Sequence, residues 1–562
     1  MNDNGNFFIA IGLSIAILVG WHWLYEVPHQ KAAQVHAQVE KAASQGPLIG
    51  SFQPPKPRQE VIAEVPRVPF ENGNIRGSIN LRTGRVDDLT LLNYRETIDP
   101  KSAPIIFLSP GHSAEPYQGF YAEFGWLSSD GTAKLPARDT FWKTQDQKLS
   151  PGHDVHLTWD NGSGLTFERV ISLDENYLFT VTDRIHNATG QEMTVYPYSL
   201  VTRRGTPKTL GYATLHEGPL GVLGDTLRER NYKKLREEPL YSEDSTGGWV
   251  GITDVYWLAA VLAPPQDKVN GRFIYGMIGP EERYQADLRK GAVTLKSGDD
   301  AESRHYLFAG AKELNVLDHY RKHLPAPMFD RAVDFGWFYF IAKPFFKTID
   351  WLARLIGNYG LAIIVFTIAL RLLFFPMSEA SFRNMERMKA LQPQMERLKE
   401  RYANDTPKLH EEMQAIYKRE KLNPAAGCVP MLVQIPVFFA LYKVLLVSIE
   451  MRHAPFFGWI KDLSAPDPSN VFNLFGVAPW HAPSFLHLGA LPIMMGLTMF
   501  IQQKLSPPPG DKTSAQIFML LPLVFTFLLA NMSAGLVIYW TFSNILAIAQ
   551  QTLIKHRAKG AK

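Results

Sequence analysis

A single arginine interrupts the apolar run FTIALRLLFFP, residues 366–376, inside a hydrophobic stretch from 359 to 377. A cation at the centre of a membrane helix costs about 2.5–3.5 kcal/mol on insertion scales, so Arg371 needs a partner, water or a function. The chemistry it offers is electrostatic, a fixed positive charge beside which a carboxylate leaves water more easily. Little else in the chain points to bond-making chemistry. There is one cysteine, Cys428, and there is no GxxxxGK[ST] phosphate loop, no nucleophile elbow and no metal-ligand spacing. His153, His156, His186 and His216 are scattered and read as ordinary loop or strand residues. No catalytic residue, cofactor or metal is expected, and no DNA partner.

The elements that must hold Arg371 follow from the spread of apolar residues. The 562 residues are 46% hydrophobic with a mean hydropathy of -0.11, but the apolar ones concentrate at 7–25 and again after 359. Spans are read at 7–25, 359–377, 429–448, 488–503, 517–532 and 535–553, six in all. The first lacks Lys or Arg in its leading MNDNGN and exceeds the usual signal-peptide core, so it reads as a retained anchor. The fourth and fifth hold uninterrupted apolar runs of 14 residues. At 1.5 Å per residue these reach about 21 Å against a hydrocarbon core near 30 Å, which implies either a re-entrant helix or a thinned bilayer.

Charge sets the orientation. Residues 378–427 carry ten Lys and Arg, and the end of the chain carries Lys555, Arg557, Lys559 and Lys562, so both belong on the cytoplasmic side. Parity then puts the N-terminus inside and the large polar domain outside. That domain, 67–330, alternates with period two at 165–173, 177–186 and 192–201, with turns at Asp130-Gly131 and Asn161-Gly162 and a helical return near 311–323. It reads as an antiparallel β-sandwich. The aromatic but interrupted stretch 331–354 fits a helix lying in the outer interface on Trp337, Phe340, Phe345, Phe346 and Trp351. Residues 378–427 read as a helical hairpin with a methionine stripe, Thr406 capping its second helix and Pro407 following.

The expected division is therefore anchor 1–26, linker 27–66, outer domain 67–330, interfacial helix 331–357, second span 358–378, hairpin 379–426, third span 427–449, outer loop 450–486, fourth span 487–504, inner loop 505–515, fifth span 516–532, sixth span 535–554 and basic tail 555–562.

Three stretches carry a resemblance. LQPQMERLKERY, KREKLNPAAGCVPMLVQIPVFFALY and AGLVIYWTFSN, in this order of parts, closely resemble the bacterial YidC membrane-protein insertases of the mitochondrial and chloroplast insertase superfamily. The resemblance covers about 355–555. It implies a polytopic α-helical membrane protein of six transmembrane helices, five forming an insertase core, with a large periplasmic antiparallel β-sandwich domain in the bacterial inner membrane. It also implies a hydrophilic groove open to the cytosol and to lipid. The groove arginine of that family matches Arg371, its threonine one turn earlier matches Thr367, and a last-span aromatic matches Tyr539 or Trp540. Family members often carry tyrosine where Trp540 stands. Gln434, between Pro430 and Pro436 in the third span, joins the expected site on its own account, because a buried amide needs polar partners.

The expected function is insertion, folding and assembly of inner-membrane proteins, alone or with the Sec translocon and its accessory subunits. A hydrophilic, often acidic flank enters the groove while the apolar segment slides along the third and fifth spans into lipid. The hairpin and basic tail would receive chains from the ribosome and targeting machinery, and the tail also suits anionic lipid. Two other readings stay open on the residues alone, an anion transporter using Arg371 and a structural membrane assembly factor. Trp480 and Phe485 are expected to rest the outer loop on the membrane, and Lys443 to snorkel toward water.

Overall fold

The computed structural model describes residues 52–129, 131, 133–209, 211, 214–324, 326–402, 405–420, 422–423, 429–476, 488–505 and 512–560. The expected anchor, Asp130, Cys428, Trp480, Phe485 and Lys562 lie outside them. The chain divides into two compact units, one ending at Asp334 and one beginning at Phe335.

In the first unit, alternating side chains build a 16-stranded antiparallel sheet. Its main path runs through Arg67–Glu71, Ile75–Asn80, Arg85–Arg95, Phe120–Ser128, Met193–Arg204, Glu281–Lys290, Trp257–Ile278, Asp300–Ala311, Leu178–Asn187, Leu165–Leu173 and Val155–Asp160. The sheet folds over on itself into a sandwich. Phe70 on the first of these strands meets Phe179 near the other end, with ring centroids 5.1 Å apart. Leu165–Leu173 buries Leu165, Phe167, Ile171 and Leu173 on one face, the period-two pattern of a half-buried strand. Arg169 sits on that same face and is 1% exposed. Its Nε and Nη2 grip Asp183 at 2.6 and 2.9 Å, and Nη1 and Nη2 reach the Gly84 and Phe124 carbonyls at 3.0 and 2.8 Å. A buried cation is tolerable only when satisfied in this way.

The turn at Asn161-Gly162 forms for a local reason. Asn161 Oδ1 accepts the Ser163 and Leu165 amides at 2.7 and 3.0 Å, and Gly162 takes φ +71°, a region that glycine enters freely. The unit's helices are α1 (Arg58–Ala63), α2 (Tyr232–Glu237) and α3 (Leu314–His323), the last being the expected return. Part of the expected linker is docked rather than free. Arg58 in α1 bonds Ser109 at 3.1 Å and pairs with Asp88, and Lys56 donates its amide to the His112 carbonyl at 3.0 Å.

The second unit is helical: α4 (Tyr339–Ile356), α5 (Tyr359–Leu373), α6 (Phe375–Arg401), α7 (Thr406–Arg419), α8 (Val429–Val447), α9 (Ala490–Leu505), α10 (Lys512–Leu528) and α11 (Ala534–Gly560). Among the described residues no single helix is long and apolar enough to cross a membrane; α5 and α6, bent by 59° where they join, meet that test as a pair. The stretches expected to span after residue 358 are helical in α5 and α8 to α11, except that the second, expected to run to 377, leaves α5 at Leu373 and continues past the bend into α6. Along α4, Trp337 just before it, Phe340 and Trp351 are exposed, but Phe346 is buried and Phe345 packs edge-on against Phe366 at 4.9 Å. Those last two rings hold α4 to its neighbours, whereas an interfacial role was expected for them. In α7 the cap is Asp405, whose Oδ1 accepts the Lys408 amide at 3.1 Å. Thr406 instead opens the helix, because the carboxylate one residue earlier takes the exposed amide. Lys443 is also buried, at 8% exposure, where snorkelling was expected. The last helix continues to Gly560, so the expected tail is helical from 555 to there.

Candidate functional site

Helices α5, α8 and α11, with the start of α6, converge on a cleft lined by Thr367, Arg371, Ser378, Gln434, Tyr539, Ser543 and apolar neighbours. Room for water in it is about 30 Å³, enough for about two molecules. Helical spacing explains the cast. Thr367 and Arg371 lie four apart on α5, and Tyr539 and Ser543 lie four apart on α11, so each pair shares a face.

Arg371 donates through Nε and Nη2 to the Ser543 hydroxyl at 3.1 and 2.5 Å. Its own carbonyl accepts from Gln550 Nε2 at 3.2 Å, which ties the end of α5 to α11. The cleft lining contains no Asp or Glu, and among the described residues Arg371 forms no ion pair. Its charge is oriented but not cancelled. Gln434 Nε2 donates to the Tyr539 hydroxyl at 2.5 Å, which supplies a partner for a half-buried amide and links α8 to α11. Tyr539 is 3% exposed. Thr367 is buried, and its hydroxyl donates back to the Ile363 carbonyl at 2.6 Å, so it lends the cleft a methyl and an oxygen that is already engaged.

The cleft therefore gathers Arg371, Thr367, Gln434 and Tyr539. Trp540 does not belong to it. One residue further along α11 it is turned by about 100°, and its ring packs against Phe438 and Phe525 at 4.8 and 5.4 Å. Between the two aromatics left open by the sequence, the polar position is Tyr539. Ser543 went unnoticed in the sequence, although its spacing from Tyr539 was the signal that could have found it.

A second polar centre fixes the start of α9. Asp467 is 1% exposed. Its Oδ2 accepts the Leu491 amide at 2.8 Å, and its Oδ1 accepts from Trp459 Nε1 and from the Ser469 amide and hydroxyl at 3.0, 2.9 and 2.7 Å. A carboxylate at a helix N-terminus gains from both the free amides and the dipole. Downstream, α9 passes so close to α10 that a Cβ on Gly496 would lie 2.0 Å from Thr526 Oγ1.

The cleft thus sets one guanidinium without an ion pair among neutral donors and acceptors. Comparison with known proteins gives this a family. Residues 351–561 match the family described as 60Kd inner membrane protein, and residues 67–348 match the YidC periplasmic domain. The chain is 46% identical to the membrane protein insertase YidC of Methylobacterium radiotolerans, over 99% of this chain and 95% of that protein. It is 45% identical to that of Bradyrhizobium diazoefficiens, over 99% and 97%. Among solved structures, a crystal structure of an active YidC insertase with its first transmembrane domain resolved is similar at 18% identity and a TM-score of 0.36, covering 85% of this chain and 90% of that one. With both halves matched and relatives this similar along nearly their whole length, the chain belongs to the YidC family of membrane protein insertases.

Proposed function

We propose that this protein inserts nascent membrane proteins into the bacterial inner membrane and aids their folding and assembly, with Arg371 as the receptor for the hydrophilic flank that must cross. The observation that carries the reading is the guanidinium held by a neutral hydroxyl in a cleft without carboxylates. A cation already paired to Asp or Glu would have little left to offer. An uncancelled one lowers the cost of bringing an acidic flank out of water, and a positive-outside potential adds about 2.3 kcal/mol per acidic charge per 100 mV.

In this reading six helices span the membrane, with both termini cytoplasmic and the sandwich domain periplasmic. The apolar part of the client leaves along α8 and α10, whose outer faces expose Leu432, Ile435, Phe439, Leu520, Leu523 and Phe527. The α6–α7 hairpin, whose methionine stripe is only half covered, and the basic end of α11 receive clients from the ribosome and targeting machinery. The Sec translocon is a further partner. Thr367, Gln434 and Tyr539 set the polarity of the groove, and Trp540 is a packing residue at its side.

The test is reconstitution of the protein alone in liposomes with a short client of one or two spans and no added nucleotide. Protease-protected insertion is expected. Its absence would overturn the reading, and solute uptake without insertion would point to a transporter.

A further inference from the structure

The sandwich unit contains a cavity of about 490 Å³ that the insertion mechanism does not use. That is within the range of pockets that hold small molecules, about 300–1,000 Å³. Its walls bring together α1 and the residues after it, the loop at Gly111, Tyr121, and four arginines, Arg82, Arg85, Arg138 and Arg283.

The acidic residues on the same walls are largely engaged elsewhere. Asp87 is paired with Arg67 and accepts from Asn80 at 3.1 Å. Glu64 is bonded to Lys56 at 2.5 Å and lies 3.5 Å from His112. Asp139 stands exposed at the rim. Among the cations, Arg85 is matched by Glu123 and stacks 4.4 Å over the Tyr121 ring.

Arg283 is different. It is 5% exposed, its Nη2 donates to the Gly111 carbonyl at 3.1 Å, and its Nε has no acceptor. The Glu281 carboxylate pairs with Arg204 through Oε1, and its Oε2 stands 3.7 Å from Arg283, within ion-pair range but without a hydrogen bond. Burial pulls the Arg283 pKa down, against the opposing influence of Tyr121 and Glu281, and the charges of Arg204 and Arg138 add to the pull. Thr83 Oγ1, on the same wall, is also buried without a partner. Arg82 is exposed there, its guanidinium 5.9 Å over the Phe141 ring. Buried polar groups without partners are rare, and each one calls for an explanation. Here two of them share a cavity with an excess of guanidinium groups.

We propose that this cavity is a binding site for a small polyanion bearing carboxylate or phosphate groups, neutralised by Arg283 and Arg82, with Tyr121 and Thr83 completing its walls. Guanidinium forks match both oxyanions in geometry. The proposal is independent of the insertion mechanism.

The test is calorimetric titration of the full-length protein in uncharged detergent, with citrate in one arm and inorganic phosphate in the other. Saturable binding of at least one is expected, weakening as salt is raised. Arg283→Met should weaken it about tenfold or more, the loss expected for one charge-assisted contact. Because a buried substitution can disturb folding, Arg82→Gln serves as the second variant and should weaken binding by about threefold, as fits an exposed pair. Preference between the arms identifies the oxyanion. Absence of saturation by either anion up to about 10 mM, in the millimolar range where affinity ceases to be specific, would overturn the proposal. So would affinity unchanged in both variants.

Discussion

If Arg371 acts by its charge, replacing it must matter in proportion to the charge of the client. A carboxylate about 4 Å from a guanidinium gains about 4 kcal/mol at an effective dielectric of about 20. To accept it, the guanidinium must give up its bond to Ser543, and a hydrogen bond involving a charged group is worth about 1.5–3 kcal/mol. The surplus is about 1–2.5 kcal/mol, a preference of about 5- to 60-fold for an acidic over a neutral flank. The assay is a cycle of initial insertion rates in liposomes held at zero potential, with wild type and Arg371→Ala each tested on clients whose flank carries Asp or Asn. A coupling of about 1–2.5 kcal/mol between the two changes is expected. Arg371→Lys should keep most of it, since it keeps the charge and loses only the two-pronged hold on Ser543. Effects that add within about 0.5 kcal/mol would refute the reasoning and reduce Arg371 to a residue that merely reaches for water.

Tyr539→Phe removes the acceptor of the Gln434 amide and should weaken the contact between α8 and α11 by about 1 kcal/mol. Hydrogen exchange in 430–440 should quicken, while discrimination between acidic and neutral flanks stays as it was. Asp467→Ala leaves the Leu491 N–H unpaired in a buried site and removes the partner of Trp459 Nε1, whose ring is half exposed, and should cost about 2 kcal/mol; cleavage before α9 and an altered Trp459 emission would report it, with Asp467→Asn milder. In the sandwich unit, burial lowers the Lys312 pKa from 10.5 to about 8, despite Asp334, Asp254 and other acids that oppose the shift. The unfolded chain therefore holds one more proton than the folded one between those values, and stability rises with pH across that window. Compared with Lys312→Met, wild type should gain about 2–3 kcal/mol between pH 8 and 10 in chemical denaturation of this unit.

What could be read from the sequence was whatever depends on local periodicity. The alternation over 165–173 gave a strand with those same bounds, and the apolar runs after 358 gave helices. What depends on distant partners was hidden. Nothing near Arg169 announces that it spans the sandwich to Gly84 and Phe124, and Asp467 caps a helix that begins 23 residues later. The order of strands in the sheet is equally non-local. At the cleft, Arg371 was visible because charge is conspicuous among leucines and phenylalanines. Ser543 was not, because a serine in an apolar helix can satisfy itself on its own backbone and gives no sign of doing otherwise.

The neutral character of the Arg371 partner also bears on what the membrane can hold back. A protein that admits water toward the middle of a bilayer risks becoming a leak for protons and metal cations. A guanidinium compensated by a carboxylate would be no obstacle to them. One bonded only to a hydroxyl keeps its field, and at about 6 Å with an effective dielectric near 20 that field repels a monovalent cation by about 3 kcal/mol, roughly a hundredfold depletion. The arrangement that welcomes an acidic peptide would, in the proposed membrane setting, also serve as an electrostatic barrier that preserves the ion gradients on which the cell depends.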